Sequence, residues 1–460
     1  MIKRLLLITI FSVTFAGLLG QDMDNPYILD NEWPGYSIGD PYVLKHRGVF
    51  YLYCSTKNGE TGTKTWSSTD LVSWTYEGLS STDPVTVTAY APEVYYWNGM
   101  FYMYTSPGGN GHYILSAPSP TGPFEPVTPN LGKSIDGSVF VDDDGSWYFY
   151  HASPGGIIGC PMPDPVSIGA GTNTGSFMNN TWTEGSCVIK RNGIYYMIYT
   201  GNHVISKGYR IDYGTSTTSP IENFEPAEYQ NPILLDALGL HNGLGHGSIF
   251  IGPDLDSYYL TYHNLVSGNG PFRRLNFDRI AWNDEKMVVL GPTDFAQQNP
   301  ALPDAYDFLN RTDPGSAWSF SGGDWKMNNG ASLLQDALDT GTDTHAVAVL
   351  DSITEDDYTA EFNFRELERN QSGAFLGAVF GYTDASNYGI AVVNSEAMTL
   401  EIKILTGDSW SEPETVDLPG TLDFSHWHTI RIEKFGQQHK FFVDGMLQHT
   451  GRSEERRVGK

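Results

Sequence analysis

The chain has 460 residues, with 54 acidic against 27 basic side chains and a formal net charge of −27. That balance argues against nucleic acid and anionic membrane surfaces as partners, because binding to either rests on Lys and Arg meeting phosphates. Aromatic residues make up 13 %, beside 50 Gly and 26 Pro, a composition of short strands and tight turns that points to an all-β chain of two or three domains.

Residues 1–20 come first in chain order. They hold the basic Lys3 and Arg4, an apolar run Leu5–Phe15, and the small residues Ala16, Gly17 and Gly20. The run is too short to span a bilayer and ends at small residues, so a signal peptide is expected, and with it a secreted or periplasmic protein. Cys54, Cys160 and Cys187 form no CxxC pair and imply neither a zinc knuckle nor a disulfide framework.

From residue 24 to 300 one pattern recurs. Turn-led aromatic strands appear as Gly48-VFYLYCS, Gly99-MFYMYTS, Gly145-SWYFYHA, Gly193-IYYMIYT and Ser257-YYLTYHN, at intervals of 51, 46, 48 and 64 residues. A period near 50 with several short strands per unit predicts a five-bladed β-propeller. The pairs Asn98-Gly99, Asp144-Gly145 and Asn192-Gly193 are hairpin turns between apolar runs. Arg273-RLNFDRIAW is expected to close the last blade.

Upstream of each turn lies a further strand opening on a polar residue: Asp40-PYVL, Glu93-VYYW, Asp136-GSVFV, Glu184-GSCVI and His246-GSIFI. Inner strands of a propeller line its channel, so these five ionisable residues are expected in register around one mouth. Clustered carboxylates repel and cost free energy, which points to function. Asp40, Asp136 and Glu184 suit acid–base hydrolysis of a glycosidic bond, one carboxylate activating water while another protonates the leaving oxygen. Trp33, Tyr90, Trp97 and Trp182 are the aromatics available to stack on sugar faces.

The runs Gly39-DPYVLKHRGVFYLYCS, Tyr90-APEVYYWNGMFYMYTS, Ser134-IDGSVFVDDDG and Thr183-EGSCVIKRNGIYYMIYT, with Ser68-TDLVSW and Arg274-LNFDRIAW, resemble glycoside hydrolase family 43 in order and spacing. The resemblance implies a five-bladed propeller that inverts at the anomeric carbon. It makes Asp40 the general base, Asp136 the residue that tunes and orients the acid, and Glu184 the general acid. It implies substrate contacts for Glu93 and for Arg273 or Arg274; Trp97 and His246 complete the expected substrate-binding set. For His246 it implies a channel position beside a calcium ion or a water cluster. The chemistry itself requires no cofactor, and calcium prefers oxygen ligands. The activity implied is hydrolysis of arabinofuranosyl, xylosyl or galactofuranosyl linkages in plant-type polysaccharides or oligosaccharides. The alternatives are a sugar-binding propeller without catalysis and a retaining fructan-type glycosidase. The latter carries Arg-Asp-Pro and Glu-Cys motifs where this chain has Ile135-Asp136-Gly137 and Thr183-Glu184-Gly185.

Three other motifs read as structure. His241 and His246 lack a third ligand at zinc-like spacing, Pro107-GGNGH is expected as a loop at the site rim, and Asp142–Gly145 as a hairpin turn. Asn179, Asn310 and Asn370 head glycosylation acceptor patterns.

After the linker Asn299-PALPD the period changes. Residues 305–451 alternate in strands such as Asp357-YTAEFNFREL, Gly373-AFLGAVFGY and Lys440-FFVDGML, predicting a jelly-roll β-sandwich similar to concanavalin-like modules. Its expected role is either carbohydrate binding or packing against the propeller. Residues 452–460, Arg452-SEERRVGK, break the pattern and read as a non-native tail, which would leave the sandwich truncated.

Overall fold

The computed structural model describes residues 22–178, 182–239, 241–267, 271–328, 332–337, 346–350, 356–367 and 375–452. The expected leader, residues 453–460 and the acceptor patterns at Asn179 and Asn370 lie outside them. Among the described residues the fold is all-β, the exception being a 3-10 turn at Pro84–Thr86. No helix among them is long and apolar enough to cross a membrane.

Five four-stranded antiparallel sheets form the blades. Their inner strands are Tyr42–His46, Ala89–Trp97, Ser138–Val141, Thr183–Arg191 and Gly245–Ile251. Each turns through a hairpin into a second strand dense in buried aromatics, such as Tyr53, Tyr104, Tyr150 and Tyr262. The segment containing Arg273 is the third strand of the fifth blade, Phe272–Asn283, and not its outermost; Lys286–Val289 lies outside it. The ring is tied shut by residues 23–27. The Tyr27 N–H donates to the Leu275 carbonyl at 2.8 Å, and the Asn25 amide exchanges two 2.8 Å hydrogen bonds with the Phe277 backbone.

One irregularity recurs in every blade. The ladder between first and second strands skips two residues at the start of the inner strand, between Tyr90 and Glu93, Glu184 and Cys187, and Gly245 and Ser248. The first and third blades match, with Gly39 and Ile135 accepting from Ser55 and Ala152 before pairing resumes at Tyr42 and Ser138. The first of each pair of skipped residues is left-handed: φ is 53° at Asp40, 42° at Ala91, 61° at Asp136, 57° at Gly185 and 49° at His246. Such bulges re-aim side chains, and non-glycine residues hold this conformation only where their surroundings enforce it.

The second unit is a sandwich. One sheet runs Tyr358–Phe364, His428–Phe435, Gln438–Val443, Met446–Arg452; the other is built on Leu376–Asp384, Asn387–Asn394 and Thr399–Thr406. It docks on the hairpin ends of the inner strands, the end opposite Asp40. Lys45 pairs with Glu361 at 2.8 Å, Asn98 donates to the Thr421 carbonyl at 2.7 Å, the Leu447 N–H donates to Asp143 at 2.7 Å, and Lys440 reaches Asn192 at 3.3 Å. Arg47 lies 3.9 Å from the Trp427 ring centroid. Trp97, Val141, Trp147, Leu418, Leu422 and Phe424 share one apolar core across the junction. The turn glycines take part, since a Cβ on Gly99 would run into His426 and one on Gly145 into Pro419.

Candidate active site

The bulges sort the five expected mouth residues. Asp40, Asp136 and His246 occupy the same left-handed position in their blades, and Glu184 immediately precedes its equivalent, Gly185. Glu93 does not belong to this ring. It lies two residues past Ala91, level with Tyr42, Ser138, Cys187 and Ser248, about 6–7 Å further down the channel. The expectation of five ionisable residues in register is thus corrected to a mouth of four, with Glu93 in the layer below.

Asp40 is the most heavily partnered. Its Oδ1 receives Arg273 Nη1 at 2.6 Å and lies 3.3 Å from His246 Nδ1 and 3.4 Å from His263 Nδ1; its Oδ2 accepts from the Ser55 hydroxyl at 2.5 Å. Arg273 also donates to the Tyr36 hydroxyl at 2.5 Å, and a Cβ on Gly39 would occupy the space its guanidinium fills. Glu184 is held at both oxygens, by the Tyr209 hydroxyl at 2.7 Å and the Trp182 indole N–H at 2.5 Å. Asp136 has His246 Nδ1 at 3.4 Å and faces the Gly185 N–H, the peptide next to Glu184.

Exposure is 8 % at Asp40, 6 % at Asp136 and 8 % at Glu184, so desolvation is the largest influence on each carboxyl. At Asp40 burial pushes the pKa up, but Arg273, the two histidines and Ser55 outweigh it and hold the group well below the usual carboxylate range. At Glu184 burial raises the pKa to about 7, the Tyr209 hydrogen bond restraining it and the Asp40 charge adding to it. Asp136 is pushed well up, by burial first and then by the charges of Glu184 and Asp40. The mouth therefore combines one firmly ionised carboxylate with a raised pair that titrates together.

Not every expected contact converges here. Arg274 points away, pairing with Glu32 at 2.8 Å, whereas Arg273 enters the site. Trp97 lies at the far end of its strand, 5.2 Å from Trp147 in an edge-to-face pair inside the junction with the sandwich; the structure does not bring it to the mouth. Trp33 is buried beneath Lys64, 4.2 Å from its ring centroid. Tyr90 is half-buried within electrostatic reach of Asp40 and Arg273, with its hydroxyl on Asn58 at 2.9 Å. The Pro107–His112 loop leans on Ile135, beside Asp136, through Gly109. The sequence reading missed Tyr36, Ser55, Thr200, Tyr209 and His263. Ser55 and Thr200 close the repeated second-strand motif, whereas His263 falls one place before the last letter of its copy.

For calcium the fit is poor. His246 offers a nitrogen whose Nδ1 is already shared between two carboxylates, and no group of three or more His, Cys, Asp or Glu among the described residues is arranged to hold a metal. No step below is routed through one.

A five-bladed propeller whose mouth sets an ionised carboxylate against protonable ones is equipped for acid–base hydrolysis of a glycosidic bond. The comparisons make this specific: the chain belongs to glycosyl hydrolases family 43, whose family model matches residues 35–288. A thermostable family-43 glycoside hydrolase of known structure is 30 % identical, with 57 % of this chain and 96 % of that chain covered and a TM-score of 0.51. The xylan beta-1,4-xylosidase of Bacillus halodurans C-125 is 17 % identical over 93 % of this chain and 91 % of its own, at a TM-score of 0.51, a likeness of fold. The beta-D-galactofuranosidase of Aspergillus niger is 27 % identical over 208 residues, covering 41 % of this chain and 58 % of its own. The arabinoxylan arabinofuranohydrolase of Paenibacillus polymyxa is 30 % identical over 228 residues, 35 % of this chain and 34 % of its own. The chain thus spans between a third and three-fifths of these curated relatives' lengths.

Proposed function

We propose that the protein is an exported, inverting glycoside hydrolase acting on arabinofuranosyl, xylosyl or galactofuranosyl linkages of plant-type polysaccharides or oligosaccharides. The observation that carries the reading is the electrostatic split across one mouth, with Asp40 held ionised against Arg273 and Glu184 raised to about 7. Asp40 is the general base: it takes a proton from the attacking water as that oxygen bonds the anomeric carbon. Glu184 is the general acid and gives its proton to the glycosidic oxygen as the bond to the leaving group breaks. Asp136, beside the peptide of Glu184, makes full ionisation of the pair costly, so the mouth keeps a proton near neutral pH. The names of the relatives support the range of sugars, and the leader-like residues 1–20 support export.

The test is a screen of the purified protein on nitrophenyl arabinofuranoside, xyloside and galactofuranoside, with and without a chelator, following the first-formed anomer by proton NMR. Turnover with inversion is expected. Net retention, or binding without turnover in the wild type, would refute the proposal. Glu184→Gln is expected to abolish hydrolysis while preserving sugar binding.

A further inference from the structure

We infer that His263 is a positioning residue that fixes the backbone of Asp40 through Nδ1, one member of a ring of contacts between blades. The inference rests on the reading of Asp40 as the general base. Four of the five left-handed residues are not glycine and need their backbones held, since a side chain disfavours that conformation. In three blades the hold comes from one place, the end of the second strand in the preceding blade. The Ala91 N–H donates to the Ser55 hydroxyl at 2.8 Å, the His246 N–H to the Thr200 hydroxyl at 3.0 Å, and the Asp40 N–H to His263 Nδ1 at 3.2 Å. Ser55, Thr200 and His263 are equivalent positions, each opposite the residue just before the bulge of its own blade. In the third blade that position is Ala152, with no acceptor to offer, and the Gly185 N–H faces the Asp136 carboxyl instead.

Blade 5 alone uses an imidazole here, and its surroundings specify how it must work. The ring is fully buried and lies nearly parallel to Tyr209, 17° between planes and 5.7 Å between centroids. Tyr209 is itself fixed, by its hydrogen bond to Glu184 and by a tight fit over Gly245, where a Cβ would strike the ring. The charged and titratable groups facing His263 are Asp40, Arg273, His246 and Tyr209. Burial and the Arg273 guanidinium favour the neutral ring, whose Nδ1 lone pair meets the Asp40 N–H at 3.2 Å; a hydrogen on Nδ1 would turn instead to Asp40 Oδ1, 3.4 Å away, and leave the Asp40 N–H without its acceptor. Nε2 has no partner among the described residues, so the ring's hydrogen bonding is concentrated at Nδ1.

Two substitutions separate positioning from space-filling. His263→Asn keeps an acceptor near Nδ1 but loses the ring; His263→Phe keeps the ring but loses the acceptor. The expected result is kcat within about fivefold of wild type for His263→Asn. For His263→Phe a loss of about 10–100-fold is expected, with KM within about twofold, as for a displaced catalytic group. The reverse order, Phe near wild type and Asn impaired, would make His263 a filler and overturn the inference. Nitrogen-15 NMR of the histidines in the wild-type protein provides a readout independent of activity. The Nε2–H tautomer is expected, and an Nδ1–H tautomer overturns the inference. If His263→Phe does not fold, the tautomer and His263→Asn decide, with a loss above about 50-fold in the latter counting against it. A wild type without glycosidase activity would sink the proposed function and leave the tautomer result to judge the inference.

Discussion

Arg273→Met is the sharpest probe of how the site is poised. In the wild type the guanidinium contacts Asp40 at 2.6 Å, with Arg273 2 % and Asp40 8 % exposed, so neither charge is screened by bulk water. Removing one partner of a buried pair typically costs about 3–5 kcal/mol, because the remaining charge is left desolvated. Ser55 and His246 still face Asp40 in the variant, which places the expected effect at the lower end, about 3 kcal/mol. At about 1.4 kcal/mol per tenfold, that is a rise of roughly 100-fold in the proton affinity of the base, or about two pH units on its acid limb. The sign is set by burial, which raises the Asp40 pKa and is opposed chiefly by Arg273. Without the arginine the acid limb of the kcat/KM profile moves up toward neutral pH, narrowing the window below the Glu184 limb near 7. The same pair contributes stability above the ordinary carboxylate pKa that is lost as pH falls through the depressed one, and the variant forfeits it at neutral pH. The assay is kcat/KM against pH on the best nitrophenyl glycoside, with thermal melting at each pH as a control for folding. A folded variant that is slower at every pH, with its acid limb unmoved, would refute the reasoning and confine Arg273 to substrate binding. Arg273→Lys should return the limb toward its wild-type position without restoring the rate, since one ammonium cannot span both Asp40 and Tyr36.

Tyr209→Phe removes a hydrogen bond that favours ionised Glu184, so the basic limb of kcat/KM should move above about 7; a downward shift would contradict the assignment. Glu93→Gln should leave kcat/KM within about threefold of wild type, whereas Asp40→Asn should lower it by about 100-fold or more. Burial pushes the Glu93 carboxyl well up, so its cost to stability appears as pH rises above the ordinary carboxylate range. Glu93→Gln should therefore raise the melting temperature at pH 8 and leave it unchanged at pH 4. Trp97→Ala should cost about 3–5 kcal/mol of stability with KM unaltered, and a raised KM with unchanged melting would return Trp97 to the substrate.

The five-blade architecture was legible because each blade repeats a hairpin with a turn residue and a period-2 strand, which a sequence displays directly. Asp40, Asp136 and Glu184 were legible for the same reason. The register was not. A two-residue bulge leaves no gap in a sequence, so Glu93 reads as the counterpart of Asp40 although it sits two residues deeper. The signal was there in another form, in Asp40-Pro41, Ala91-Pro92, Asp136-Gly137 and His246-Gly247, a left-handed residue followed by Pro or Gly. Trp97 shows the other limit. It belongs to a motif-bearing strand, yet six residues beyond Ala91 an extended chain has travelled about 20 Å, from the mouth to the sandwich. The choice between Arg273 and Arg274 was equally closed to sequence, because alternate residues of a strand face opposite ways and only the partners, Asp40 or Glu32, tell them apart.

The two units divide the work along one axis. The sandwich takes the hairpin ends, with direct contacts to four blades, and its Arg431 and Glu433 lie within electrostatic reach of Tyr258 in the fifth. The mouth with its carboxylates is at the other end of every inner strand. Among the described residues its contacts are with the hairpin ends and not with the mouth, so what they give the inner strands is rigidity at the base. That rigidity matters because the mouth is built from strained backbone. Four non-glycine residues in left-handed conformation, two of them proposed catalytic carboxylates, persist only if the strands that carry them cannot relax. The Ala89–Trp97 strand is restrained at both ends, by the Ala91–Ser55 hydrogen bond at the mouth and by Trp97 in the shared core, and the first blade likewise by the Asp40–His263 hydrogen bond and the Lys45–Glu361 pair. Loosening either end should therefore reach the carboxylates before it unfolds the ring. A substitution confined to the junction with the sandwich would then lower kcat at temperatures where the protein is still folded, while one on the outer strands would not.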